Sequence, residues 1–237
     1  MNAAAKVARA VEPFLARHPD FALVGRSVVL RPVGHLMRRF FIDRTAYKDY
    51  IQPIWSVATT FGPPPKYLAA VGARLVGGVG NVCDPENRSR LLEEMELLAS
   101  DILRTADIDG LSDLAWRADP LSGPVAMTFG MPLLAKGEFS QASPYFAEML
   151  ASMDIAVEKQ TSAVRKHRSP DSRPARIDAH VLGRLQQAQQ GFRTICDLLS
   201  AGDARAIAAQ LHAWEAAAVR LHKVEHLWAP TPFPFEL

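Results

Sequence analysis

A change of hydrophobic period around residues 77–80 limits what this chain can fold into more than any other feature. From residue 21 up to Gly77-Gly78-Val79-Gly80 the apolar residues tend to alternate, and after it they recur every three to four positions. Alternation puts side chains on opposite faces of a strand, whereas spacing by three and four gathers them on one stripe of a helix. The two parts therefore belong to different kinds of layer.

Residues 27–33 (SVVLRPV), 36–44 (LMRRFFIDR) and 51–61 (IQPIWSVATTF) are rich in β-branched and aromatic side chains, divided by Gly34 and the polar stretch 45–49. Within the third segment Ile51, Trp55, Val57 and Phe61 share one face, with Gln52, Ser56 and Thr60 on the other. That pattern predicts a half-buried strand with one solvated side, which suits an antiparallel sheet. Residues 67–76 read as a fourth strand or a helix. Short connections favour a meander of three to five strands over crossover units. Pro32 and Pro53 donate no ladder hydrogen bond, so each is expected at a strand end, a bulge or an edge.

Ahead of the strands, Val7, Ala10, Val11, Phe14 and Leu15 predict a short amphipathic helix. This stretch has no uninterrupted apolar core, so a secretory signal is not expected. Beyond the glycines, Leu91, Leu92, Met95, Leu98, Ala99, Ile102 and Leu103 mark a helix over 88–106. Further helices are expected at 112–118, 125–136, 140–164, 177–199 and 203–228. The proline-containing KHRSPDSRPAR predicts an exposed, mobile loop at 166–176. In the terminal PTPFPFEL, Phe233 and Phe235 are expected to pin an extended tail. The predicted class is α+β: an N-terminal helix and antiparallel β-meander over 1–84, followed by a larger all-helical region over 85–237.

Composition narrows the class further. With 49% hydrophobic and 22% charged residues among 237, disordered, collagen-like and coiled-coil chains are excluded. Cys83 and Cys196 are too few for a disulfide framework or a thiolate zinc site. The most apolar stretch, 125–135, is far shorter than the roughly 20 residues that span a bilayer. These features predict a soluble cytoplasmic protein that makes no membrane contact. The net charge of +2 divides into +6 over 1–84, −7 over 85–164 and +3 over 165–237. The acidic helical segment is therefore expected to pack near the basic sheet.

Gly130, Gly137-Glu138-Phe139, Ala142 and Phe146 form a run in which small residues let two helices approach and an aromatic fills the cleft. Residues 127–150 resemble a single helical hairpin of the tetratricopeptide family. The resemblance implies a protein-binding helical hairpin.

Several motifs carry possible chemistry. His222-Lys223-Val224-Glu225-His226 has the H-x-x-E-H spacing of inverted zinc proteases, with both histidines on one face of a continuing helix. The same helix offers an apolar face (Trp214, Ala217, Leu221, Val224, Trp228), which leaves His212, Glu215, His222 and His226 as a solvated polar face, so no metal is expected. Cys83 precedes Asp84-Pro85-Glu86, where a helix N-terminus can activate a thiol. The glycine run lacks the Lys-Ser/Thr of one phosphate loop and the spaced third glycine of another. The basic residues of the 166–176 loop and Arg165 lack interleaved aromatics, which argues against nucleic acid.

Arg31, His35, Arg38, Arg39 and Arg44 lie on two adjacent strands. Arg38 and Arg39 point to opposite faces by the pleat, so one sits among apolar neighbours and needs a partner, such as Asp43 or a carboxylate of the acidic helix. The leading expectation is a non-enzymatic protein-binding or scaffold role through helical hairpins, of an immunity- or antitoxin-like kind. The alternative is a small enzyme or anionic-ligand-binding protein using His35 with Arg31, Arg38, Arg39 and Arg44. No cofactor is expected, the partners are a protein or a small anionic ligand, and whether the chain is an enzyme stays open.

Overall fold

The computed structural model describes residues 3–45, 47, 49–63, 70–117, 126–167, 169 and 171–237. The protein is α+β, with an N-terminal helix, an antiparallel meander and a larger helical part. It forms two compact units. One comprises Met1–Thr60, Ala70–Gly123 and Val219–Thr231; the other comprises Phe61–Ala69, Pro124–Ala218 and Pro232–Leu237.

In the first unit, α1 (Ala3–Arg17) precedes β1 (Phe21–Val24), β2 (Ser27–Leu30), β3 (Leu36–Arg44), β4 (Tyr50–Thr59), β5 (Ala70–Arg74) and the two-residue β6 (Gly80–Asn81). Strands pair in the order β1-β2-β3-β4-β5, and β6 adds to β4. All of these pairings are antiparallel. The sheet thus has six strands, one more than the upper expectation, because β1 and the short β6 lie outside the segments read as strands. Helix α2 (Pro85–Arg104) starts with Asp84 accepting from the Glu86 N–H at 3.1 Å and with proline in its first turn. Helix α3 (Ile108–Arg117) follows beside β5.

One sheet face carries Val28, Leu30, Phe40, Ile42 and Ile51, which pack with Val11 and Phe14 of α1 and with Leu91, Met95 and Ile102 of α2. Phe14 sits edge-on to Phe21 and Phe40, with ring centroids 5.2 and 5.6 Å away. The other face carries Val29, Val33 and Met37, which pack with Val219 and Val224 far along the chain. This returning segment is stitched in place by its backbone. The Val33 N–H donates to the Leu227 carbonyl, and the Ala229 N–H donates to the Val33 carbonyl, each at 2.8 Å.

The expected solvated side of β4 is therefore absent near its end, where Val57, Ala58, Thr59 and Thr60 are all buried. Pro53 also departs from expectation, because it lies inside β4 opposite Ile42. Its carbonyl accepts from the Leu75 N–H at 2.9 Å, so its donor-less nitrogen faces the gap between the end of β5 and the start of β6. A strand tolerates proline where no ladder bond is called for.

The second unit contains a π-helical turn, Ala126–Gly130, followed by α4 (Met131–Ala135), α5 (Phe139–Arg165) and α6 (Arg173–Ala201). It also holds most of α7 (Ala204–His222). Gly137 at φ +79° and Gly202 at φ +67° make the turns that precede α5 and follow α6. The expected loop at 166–176 is shorter than predicted. Ser172 caps α6 through the Ala175 N–H and Pro174 sits in the first turn, so 173–176 are helical and Ala175 is buried. The helix expected to run to residue 228 ends at His222, because Lys223 takes a left-handed conformation with φ +59°. Among the described residues, no helix is long and apolar enough to cross a membrane.

Candidate functional sites

Arg38 and Arg39 lie on opposite faces of the sheet, and Arg31 and His35 lie in the connection between β2 and β3. Arg31 is exposed and its guanidinium donates to the Pro19 carbonyl. His35 Nε2 lies 3.2 Å from the Thr231 hydroxyl. Arg38 shares the helix-covered face with Phe40 and Ile42, and Nη1 reaches the Thr105 carbonyl at 3.3 Å, just past the end of α2. Arg39 points to the opposite face, where Nη1 donates to His222 Nδ1 at 3.4 Å and the guanidinium stands 5.5 Å from the Phe41 ring centre. Arg44 is placed by its backbone opposite Ile51.

Among the described residues neither Arg38 nor Arg39 forms an ion pair, and the Nε of each is buried without a hydrogen bond. Asp43 pairs instead with Arg26 at 3.3 Å. Burial pushes the pKa of both guanidinium groups below the usual arginine value.

Helix α2 does pack on the sheet, but its carboxylates serve other groups. Glu96 pairs with Arg17 and His18, each at 2.6 Å. Partial burial works against the Glu96 carboxylate, yet the hydrogen bonds from His18 and Arg17 hold its pKa below the ordinary value. Glu94 accepts from the Gly77 and Gly78 N–H groups at 2.7 and 3.4 Å. The donors of the glycine turn thus already face an anion supplied by the protein.

A cavity of about 270 Å³ lies where α1 meets the start of α2, bounded by Lys6, Arg9, Val82, Cys83 and Arg88. Lys6 Nζ is 2.6 Å from Asp49, whose hydrogen bond raises the lysine pKa, with the nearby Cys83 adding to the rise. Arg9 and Arg88 form no ion pair among the described residues. They also border an adjoining groove of about 300 Å³ that Glu12 joins. Cys83 is exposed and unpaired, so its thiol is open to reagents. Of these residues the sequence reading singled out Cys83 alone. The available signal was the spacing of Lys6 and Arg9, three apart on α1, with Arg88 in the first turn of α2.

His222 and His226 do not share a helical face, since α7 stops at His222 and Glu225–Leu227 is a separate 3₁₀ turn. Nor is Glu215 on a solvated face: it is fully buried, with Oε2 at 3.6 Å from His212 Nδ1. His212 Nε2 is 2.8 Å from Glu236, which also accepts from the Phe233 N–H at 2.7 Å. Phe233 is buried against Phe61 and His212. This histidine clasps the tail between two carboxylates.

Helices α5 and α6, of 27 and 29 residues, pack against each other as a hairpin. At its base Phe146 and Phe192 face each other at 6.3 Å, and Gly191 lies so close to Pro63 and Trp214 that a Cβ there would sit 2.5 Å from Pro63. Gly130 likewise leaves room for Tyr145. The buried residues of α5 are Ala142, Phe146 and Met149, and those of α6 are Ala175, Ala188, Phe192 and Ile195. Between residues 150 and 187 only Ala175 is buried among the described side chains. That distal half is held by polar clips. Asp154 accepts from Gln189 at 2.6 Å, His167 meets Asp178 at 2.7 Å, and Gln160 donates to the Asp178 carbonyl at 3.1 Å. The His167 hydrogen bond pulls the Asp178 pKa down. Ile155, Ile177 and Val181 stand exposed on this arm at 69%, 52% and 37%.

Compared with known proteins, the chain matches no protein-family model, no curated protein and no solved structure.

Proposed function

We propose that the chain is a protein-binding or scaffold protein whose α5/α6 hairpin is the docking element. The observation that supports this reading is the distal half of the hairpin, where two long helices, of 27 and 29 residues, keep Ile155, Ile177 and Val181 in solvent. A two-helix arm buries little of its own apolar surface, and a partner supplies the missing layer. The tetratricopeptide-like run at 127–150 fits the same reading, since it forms the close-packed turn from which the arm departs. Free thiols at Cys83 and Cys196 suit a reducing cytoplasm.

The test is capture by the immobilised full chain from a lysate of the source cells, with the double variant Ile177→Ser, Val181→Ser alongside. The wild-type chain is expected to retain a specific protein that the variant loses, while circular dichroism shows both folded. Equal retention by the two chains would remove the arm from the binding surface.

The cavity beside Cys83 supports a second reading, a small anionic ligand held by Lys6, Arg9 and Arg88. It predicts that inorganic phosphate or citrate slows alkylation of Cys83 relative to Cys196, and that Arg88→Gln abolishes the protection. An unchanged alkylation rate in the wild-type chain counts against it.

A further inference from the structure

The exposed strip of the arm has one sign of charge along its rims, and we propose that its occupant is an acidic amphipathic helix. The proposal rests on the reading of the arm as a docking element and narrows the class of partner.

The argument starts from helical phase. On α6, Ile177, Val181, Arg184, Ala188 and Ile195 follow one another at spacings of four, three, four and seven, so they share one side of the helix. Ala188 and Ile195 are buried at the base, where neighbouring Gly191 meets Pro63 and Trp214. Towards the tip the same stripe is open at Val181 and Ile177. On α5 the matching side carries Tyr145 and Met149 at the base, then Ala156 and Ala163. By helical phase, the small residues on one helix and Val181 and Ile177 on the other line one apolar strip, the trough of this proposal, which continues the side buried at the base.

Charge then selects the occupant. Lys159 on the α5 rim and Arg173, His180 and Arg184 on the α6 rim flank this trough by the same phase. None of the four forms an ion pair among the described residues. Of the acidic residues of α5 and α6 near it, Asp154 and Asp178 are held in the polar clips, Glu158 falls on the far flank of α5, and Glu148, on the side of Lys159, lies below the trough beside Met149 at the hairpin base. From Arg173 to Arg184 the trough runs about 16 Å, roughly three helical turns. An apolar stripe bordered on both sides by carboxylates matches this surface, whereas a second copy of the arm would bring like charges together.

The experiment uses the full chain and a fluorescein-labelled synthetic helix of about 18 residues, with leucine at three-four spacing and glutamate on both flanks. Its controls are the same peptide with lysine flanks, and single-stranded DNA of matching length. Fluorescence anisotropy is expected to show the glutamate peptide binding at least about tenfold tighter than the lysine peptide, with the difference shrinking at high salt. Ile177→Ser with Val181→Ser should weaken it about tenfold, and Lys159→Glu with Arg184→Glu should reverse the preference between peptides. Circular dichroism confirms that each variant is folded.

Equal binding of both peptides, or binding unchanged by either double variant, overturns the proposal. Tighter binding of the DNA through the same residues also overturns it, assigning the face to nucleic acid. A lysate partner that needs Ile177 and Val181 while the glutamate peptide fails to bind overturns the acidic class and leaves the docking arm standing. Failure of both experiments removes both.

Discussion

Strand β3 and the outer half of α6 show two ways of handling apolar residues in one chain. Along β3, Phe40 and Ile42 are sealed beneath α1 and α2 while Met37 is sealed on the other face by Val219 and Val224. Along α6, the stripe that is sealed at Ala188 and Ile195 runs on to Val181 and Ile177 with nothing over it among the described residues. Each sealed side chain contributes hydrophobic free energy to folding, whereas each exposed one leaves that contribution to be made by an encounter. Stability is thus concentrated in the sheet unit and at the hairpin base, and the arm is the region with stickiness to spare.

Substitutions can break this contrast or sharpen it. The largest effect is expected from Phe40→Ala, which removes the ring between Phe14 and Phe21 and should lower the unfolding free energy by about 3–5 kcal/mol in urea titrations. Ala188→Asp places a charge at a fully buried point of α6 and should cost about 3 kcal/mol. A loss as small as that of a surface change would show that the hairpin base is not sealed. Arg39→Met should leave stability unchanged or raise it by about 1 kcal/mol, because the Arg39 Nε is buried without a partner. A marked destabilisation would show that the contacts of Nη1 with His222 and of the guanidinium with Phe41 outweigh the cost of the buried Nε.

Two smaller effects complete the comparison. The depressed pKa of Glu96 means that its stabilising contribution is present above the unfolded-state value, ordinarily about 4.3, and is lost as pH falls through the folded-state value. The wild-type chain should therefore exceed Glu96→Gln in thermal midpoint at pH 7, with the gap closing as the solution is acidified past that window. A gap that persists at the lowest pH would rule out the carboxylate as its source. Finally, Ile177→Ser should change stability by less than about 0.5 kcal/mol, since the side chain it replaces already faces water.

Local signals in the sequence are legible where one element decides its own fate. Strand β3 spans the 36–44 segment set off in the sequence by Gly34 and the polar stretch 45–49, and α2 follows its heptad-like leucines after an Asp-Pro start. The start of α6 is legible in principle, since Ser172 followed by Pro174 is a capping signal, although a proline in a polar stretch reads equally as a helix breaker. Other features depend on distant neighbours. Glu215 looks like a surface residue by helical phase, but its burial beside His212 is decided by how the chain folds around it. The separation of Arg38 from Arg39 followed from the pleat, but their partners, a backbone carbonyl and a histidine, came from residues 67 and 183 positions away. The cavity at Cys83 joins α1 to α2 across a whole sheet of intervening sequence. Periodicity within one segment carries no record of such a meeting.

The backbone stitch between Val33 and residues 227–229 has a consequence for synthesis. A ribosome delivers the chain from its N-terminus, so Val29, Val33 and Met37 emerge long before Val219 and Val224, which cover them. At roughly 5–20 residues per second, the wait lasts on the order of ten seconds. During that interval one face of the meander is without the side chains that cover it, and it closes only once the segment around residues 219–229 has been made. The completion of this sheet is thus timed by a distant stretch of chain rather than by its own strands.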